Sequence, residues 1–366
     1  MNREILYQWR NEIANNLSCL TAWQTNHLSE FSMGIIHAES CQQQQVARQV
    51  AEKERVESCA RRWRRYLDNR SFPLERFFTE WTRWVTRQLK QEKLFILVDE
   101  TKLADRLGAM VVGVAWENRC IPLAWRCYVA NCAESYPAEG QVKMIEKLLK
   151  TVKQGIDDQV EVVVLADRGI GTSPALCRAV SNLGWHFLFR VTCQSKVCTD
   201  KGDFTITKMV TEGEYQARQG KVFKQRGRIE ARAIAIWTAG YDQPWALVTN
   251  DRSLDGFEYA NRNWQEQAFR DLKSGGWQWQ HCRIRHPDHL ERLLVLLTMA
   301  YAWCVALGSQ AVNQDRIKVR SLQKHANGKV RRYWSLFKEG IQYFFDYVHR
   351  ESVFLSLNFI PEPRVT

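Results

Sequence analysis

The rhythm of apolar and polar positions changes three times along the chain. Residues 1 to about 90 read as helical throughout: they hold one glycine (Gly34), one proline (Pro73) and no alternation of period two. The stretch from Ser40 to Leu67 sets charges and glutamines at helical spacing and ends in RRWRRYLDNR. A break at Ser71–Pro73 leads into an aromatic-rich amphipathic helix, LERFFTEWTRWVTRQLK. At Leu94 the texture turns to strands. LFILVDE, AMVVGVAW and CIPLAWRCYV are short apolar runs, and the Glu117–Arg119 connection is short enough for an antiparallel hairpin. A helix over Gly140–Lys153 follows, then the strand VEVVVLAD. Ser173 and Pro174 supply an N-cap and a first-turn proline for a further helix before the strand HFLFRV. The order β-β-β-α-β-α-β, with the fourth and fifth strands joined through a helix and hence parallel, predicts a mixed sheet.

From Thr192 to Asn250 the sequence is polar and β-like, with isolated glycines and no helical period. A single long helix is predicted from Leu254 to Lys273, stopped by SGG, and the remainder is mostly helical with no internal repeat. The expected organisation is a helical domain over 1–90, an α/β core over 91–191 and 251–310, a β-rich insertion over 192–250, and a helical C-terminal region over 311–366. The most apolar stretch, Leu293–Gly308, is shorter than the roughly 20 residues a bilayer span needs and reads as a buried core helix; no membrane partner is expected.

Composition adds direction without deciding the function. Lysine and arginine outnumber aspartate and glutamate by 52 to 40, a net charge of +12, which favours a polyanionic partner such as nucleic acid, although a merely soluble basic protein shows the same excess. The eleven cysteines are odd in number, form no CxxC pair and lack zinc-finger histidines. The N-terminal residues carry no signal-peptide apolar region. Reduced thiols in a cytoplasm are the expectation.

The chemistry is concentrated in three acids. Asp99 closes the first strand and Asp167 the fourth, each after an apolar run (LFILV and VVVLA), so both emerge at the rim of a core where carboxylates repel unless a cation or proton lies between them. Either acid alone could simply cap a strand end. On the predicted helix, Tyr259, Arg262, Glu266 and Lys273 fall within an arc of roughly 60° at 3.6 residues per turn, with Arg270 in the same sector. Trp264, Ala268 and Leu272 lie opposite, suited to packing on a core. One acid in a row of cations suits a metal ligand flanked by phosphate contacts better than a salt-bridged surface of mixed signs. Three carboxylates on one site suit hard divalent ions such as Mg²⁺ or Mn²⁺, and two such ions can serve phosphodiester cleavage.

The spacing of Tyr259, Arg262, Glu266 and Lys273 resembles the Tyr-Arg-Glu-Lys signature of a large group of bacterial insertion-sequence transposases with an Asp-Asp-Glu triad. The stretch FRDLKSGGWQWQHCRIRHPDHLERL continues in that manner, and Asp99 in LVDET and Asp167 in LADRG resemble the two aspartates. The resemblance covers about residues 94–310, with Ile170 departing from the aromatic residue more usual after DRG. It implies a ribonuclease H-like mixed sheet flanked by helices, with the β-rich insertion and an all-helical N-terminal domain. It also implies catalytic and metal-binding roles for Asp99, Asp167 and Glu266, and phosphate contacts by Tyr259, Arg262 and Lys273 near the cut end. Trp245, in PWALVTN, is similar to the family's tryptophan that stacks on a flipped base; the alternative is a core aromatic, and Trp237 is the local competitor. In RRWRR, Arg61, Arg62, Arg64 and Arg65 can contact phosphates or form a solvated helical face.

The expected activity is therefore binding of terminal inverted repeats in double-stranded DNA, metal-dependent cleavage through a hairpin end, and joining to target DNA, by a dimer in the DNA complex. A nuclease of the same core without strand transfer, or an inactive copy that acts as a DNA-binding regulator, are the alternatives.

Overall fold

In the computed structural model, residues 1–51, 55–132, 134, 136–224, 227–313, 322–324, 330–332 and 334–361 are described. Five helices come first: α1 (Arg3–Asn16), α2 (Ala22–Ala38), α3 (Gln43–Val50), α4 (Val56–Leu67) and α5 (Leu74–Leu89). Three long strands follow, β1 (Lys93–Leu103), β2 (Leu107–Trp116) and β3 (Arg119–Val129). The β2–β3 connection is a two-residue hairpin, as its length predicts. Glu117 and Asn118 both take positive φ, at 42° and 61°, which suits the right-handed twist of the flanking strands. The helix α6 spans the expected Gly140–Lys153; β4 (Glu161–Ala166), a one-turn α7 (Arg168–Gly171), α8 (Pro174–Asn182) and β5 (His186–Arg190) complete the pattern. Ser173 caps α8 as its sequence suggests, its hydroxyl accepting from the Leu176 N–H at 3.2 Å.

These strands lie in the order β3-β2-β1-β4-β5. β1 is parallel to β4 and β4 to β5, while β2 runs against both its neighbours. That is the mixed sheet the sequence led us to expect. The stretch from Thr192 to Asn250 does not form a body apart. β6 (Lys196–Thr199), β7 (Gly202–Thr205), β8 (Tyr215–Val222), β9 (Ile229–Ile236) and β10 (Trp245–Thr249) extend the same sheet to ten strands, joined at β10, which pairs antiparallel with β5. Isolated glycines in this region hid the continuity, because strand signals do not reveal the partner.

The expected single helix over Leu254–Lys273 is two elements. Gly256, at φ 94°, turns the chain into a 3-10 segment, Phe257–Arg262, and only then does α9 begin (Asn263–Leu272). The helix α10 (Pro287–Asn313) is long and apolar enough to cross a bilayer, yet its apolar window is wholly buried inside the protein. In the C-terminal region, β11 (Leu322–Lys324) and β12 (Val330–Arg332) pair antiparallel within a stretch read as helical, and α11 (Leu336–Tyr343) follows. Residues 314–321, 325–329, 333 and 362–366 of that region lie outside the described residues.

The N-terminal helices share one hydrophobic core with the sheet. Trp9 of α1 stacks on Trp303 of α10 with centroids 4.4 Å apart, and Phe78 of α5 meets Trp125 of β3 edge-on. Trp81 of α5 donates from Nε1 to the carbonyl of Pro122 at 2.9 Å. Pro122 sits in β3, an outer strand of the sheet, beside an irregularity in the β2 pairing, where a residue without an N–H is tolerated. The amphipathic faces legible in residues 1–90 are thus buried partly against one another and partly against the sheet and α10.

Candidate active site

The deepest of the three acids is Asp99, on β1 where that strand lies between β2 and β4. Only 8% of it is exposed. Its Oδ1 accepts from the Glu100 N–H at 2.9 Å. Burial pushes its carboxyl up to about 6; Arg262 and the Glu100 N–H draw it back down, and Asp167 and Glu266 push it up again. Asp167 follows β4 directly and caps α7, its Oδ1 accepting from the Ile170 N–H at 3.0 Å. Because Val98 pairs with Ala166 across parallel strands, the next residue on each strand brings Asp99 and Asp167 to the same end of the sheet.

Glu266 reaches this place from α9. That helix is fastened to the sheet by Gln265, whose Nε2 donates to the Val111 carbonyl at 3.0 Å, and by Asp271, whose carboxylate lies 3.3 Å from Nε of Arg119. Both anchors are buried, so Glu266, one residue beyond Gln265, is held near the rim with half its side chain exposed. Arg262, at the start of α9, sits among the acids. Its Nη2 lies 3.0 Å from Asp99 Oδ2 and 3.8 Å from Asp167 Oδ2, and its Nη1 pairs with Glu266 Oε1. One guanidinium thus meets three carboxylates at once.

The rest of the signature surrounds that cluster. Lys273 donates from Nζ to Thr101 Oγ1 at 2.8 Å. Thr101 lies two residues beyond Asp99 and so on the same face of β1. Burial pulls the Lys273 ammonium down and the Asp99 carboxylate holds it up. Tyr259 is buried, and its hydroxyl is pushed up to about 12 by burial against the opposing pull of Arg262 and Arg190. Its ring meets Trp245 edge-on at 5.2 Å. Trp245 opens β10, which is antiparallel to β5 and so starts at the carboxylate end of the sheet. It is partly buried, a place compatible with both of its candidate roles. Trp237 instead donates from Nε1 to the Tyr241 carbonyl at 2.8 Å.

Not every expected residue gathers here. Arg270 is exposed on α9, without a contact to the three acids. Arg62 turns to Glu30 of α2, with Nη1 to Oε2 at 2.5 Å, and its guanidinium lies 5.9 Å from the centre of the Phe31 ring. Arg61, Arg64 and Arg65 line a cleft instead. The RRWRR run is therefore split by helical geometry between an internal pair and an open face.

Three oxygen-bearing acids that already share a positive group form a donor set that fits hard divalent cations. Another group, unsuspected from sequence, gathers at the other ends of the strands: Glu161 at the start of β4, His186 at the start of β5 and Asp251 after β10, with ligand atoms within 4.8 Å of one another. Lys93 already occupies it, with Nζ 2.7 Å from Glu161 and 3.7 Å from Asp251. These residues are far apart in sequence and carry no motif, so only the sheet register brings them together.

Comparison with known proteins adds the following. The family model described as Transposase DDE domain matches residues 128–303, a stretch that contains Asp167, Trp245, Tyr259, Arg262, Glu266 and Lys273 and leaves out Asp99. No curated protein matches the sequence. Among solved structures, the crystal structure of human ENDOV is 14% identical and covers 64% of this chain and 94% of its own, with a TM-score of 0.26, a superposition too loose to support any inference.

Proposed function

We propose that this chain, a DDE-type transposase by its matched domain, cuts DNA at the ends of its own mobile element and joins those ends to a target. The observation that carries the reading is the convergence of Asp99, Asp167 and Glu266 on one guanidinium at a single end of the sheet. We assign these three acids as the ligands of divalent cations, Mg²⁺ or Mn²⁺, in a two-ion arrangement. When bound, such ions supply an activated water or 3′-hydroxyl and stabilise the leaving oxygen.

The chain's own side chains do the remaining work. Asp99, on β1, and Asp167, directly after β4, fix the acceptor geometry, and Glu266 completes it from α9. Arg262 neutralises the acids in the free protein, and with its neighbours satisfied by cations it is free to turn a donor fork toward a phosphate. Lys273 and Tyr259 flank the same place and supply further donors to the strand beside the cut. Trp245, edge-on to Tyr259, is placed to receive a base extruded as the strand bends into a hairpin. Arg61, Arg64 and Arg65 contribute to holding the duplex, and the active form is a dimer on DNA.

The deciding experiment incubates the full chain with duplexes bearing the terminal repeats of its element, a target duplex and Mg²⁺. Nicked, hairpin and joined products are expected. Cleavage without joined products would reduce the activity to hydrolysis, and no cleavage with intact binding would make the protein a DNA-binding regulator.

A further inference from the structure

A cleft of about 1070 Å³ separates α4 from the segment that leads from α9 into α10. Arg61, Arg64 and Arg65 line one wall; Arg283 and Arg285 line the other. Among the described residues none of the five has an ion-pair partner. Asp68 is the one acid among the described lining residues, and it is already engaged: His289 Nε2 lies 3.2 Å from its Oδ1, joining the two walls. Five arginines against one paired acid is an electrostatic surplus that the fold leaves unneutralised. The start of α3 opens onto the same space through Gln42, Gln43 and Gln44, and its cap residue Gln42 makes no side-chain bond to the first turn. That helix end adds free backbone N–H groups and the positive end of its dipole to the cleft.

The cleft lies at the carboxylate end of the sheet. Arg106, in the turn after β1, donates from Nη2 to the Cys282 carbonyl at 3.0 Å and from Nη1 to the Ile284 carbonyl at 3.3 Å. The second wall is thereby hung from the hairpin whose first strand carries Asp99. Asp99 and Leu103, the last residue of β1, are four residues apart on an extended strand, on the order of 13 Å. The opposite wall is tied in by the Cys41 N–H, which donates to the Trp277 carbonyl at 2.7 Å.

We propose that this cleft seats the phosphate backbone of the element's end duplex next to the cut, gripped from both walls. Recognition would then belong to a composite surface, and Arg283 and Arg285 would be as much a part of it as the arginines of α4. The proposal rests on the transposase reading above. A duplex is the fitting occupant because its two strands together carry one negative charge per ~1.7 Å of helix axis, enough to meet cations on both walls at once. A lone small anion would leave most of the five arginines unpaired.

The test uses the full chain and a fluorescent duplex carrying the element's terminal repeat, with affinity measured by anisotropy over a range of salt. Two double variants, Arg64→Ala with Arg65→Ala and Arg283→Ala with Arg285→Ala, remove one wall's charges each. Each should lower the slope of log affinity against log salt by about two units and weaken binding roughly tenfold at moderate salt. The corresponding Arg→Lys variants should keep the slope, which separates lost charge from a damaged fold. Lys143→Ala with Lys147→Ala, on α6 outside the cleft, should change neither. Loss confined to the α4 pair would overturn the composite cleft and leave end binding to the N-terminal helices. A wild-type chain that cuts its ends while both wall variants bind normally would overturn the cleft and spare the function. A wild-type chain that neither binds nor cuts the duplex would overturn both.

Discussion

Two charged places at the same end of the molecule are built on opposite terms. At the triad, three carboxylates share one arginine, and the deepest, Asp99, is pushed up to about 6 by its burial. In the cleft, five arginines stand beside a single described acid, already engaged by a histidine. Neither is a balanced ion-pair network of the kind that merely decorates a surface. Each is left short of the opposite charge, which supports the proposed reading of divalent cations at the one and phosphates at the other. The difference in burial matters as well. Asp99, buried on a central strand, has little room to relax away from its neighbours, whereas long arginine side chains on a helix and a loop can follow a moving backbone.

The largest expected effect comes from emptying the acidic side of this pair. Asp99→Ala, Asp167→Ala or Glu266→Ala should each lower cleavage in Mg²⁺ by at least about 10³-fold, roughly 4 kcal/mol of barrier, with end binding in the cleft intact. A single variant that cuts near the wild-type rate would remove that residue from the triad. Next comes the shared arginine. In Arg262→Ala the carboxylates lose their common counter-charge, so the metal-free protein should lose about 2–4 kcal/mol, and Mn²⁺ should raise its melting temperature more than it raises the wild type's. Equal melting curves in chelator would mean that the guanidinium does not neutralise the cluster.

Trp245→Ala tests the link between the two places. Stacking on an indole returns roughly 1–3 kcal/mol to an extruded base, so hairpin formation should slow by one to two powers of ten while first nicking is nearly unchanged. Uniform slowing of all steps, with a depressed melting temperature, would return Trp245 to the core. The smallest effect concerns an acid that has neither metal nor arginine. Glu12 of α1 is pushed up to about 7 by burial, although its Oε1 accepts from the Leu357 N–H at 2.8 Å. The folded carboxyl keeps its proton to higher pH than the unfolded one, so wild-type stability should fall as pH rises from about 4.5 to about 7. Glu12→Gln should flatten that decline and gain about 1–2 kcal/mol above pH 7. Parallel pH profiles of the melting temperature for the two proteins would contradict it.

Much of this was legible before any coordinates. Asp167 stands out because an acid directly after a buried apolar run leaves the sheet where β4 ends. Asp99, expected to close its strand in the same way, instead lies buried inside β1, which runs on to Leu103 along β2. The parallel pairing of β1 with β4 brings the two acids together. The row from Tyr259 to Lys273 was found by assuming one continuous helix. The chain instead turns through a 3-10 segment at Gly256, yet Tyr259, Arg262 and Lys273 still lie beside Asp99, and α9, pinned by Gln265 and Asp271, brings Glu266 to the same place. Pairing partners were not legible. Nothing in residues 192–250 says that they continue the main sheet, and nothing in the apolar faces of residues 1–90 says what they cover. Arg283 and Arg285 escaped because they lie between helices, where no periodicity marks a face. Arg62 was grouped with its neighbours by sequence alone; Glu30, thirty-two positions earlier, claims it in the fold.

The stacked pair of Trp9 and Trp303 offers an optical handle on this architecture. Two buried indoles 4.4 Å apart and nearly parallel, at 10°, are coupled chromophores. One sits on the first helix and the other on the long central helix, so their shared near-ultraviolet circular dichroism signal exists only while the N-terminal helices remain docked. Following that band alongside global unfolding would show whether α1 leaves α10 before the rest of the fold melts.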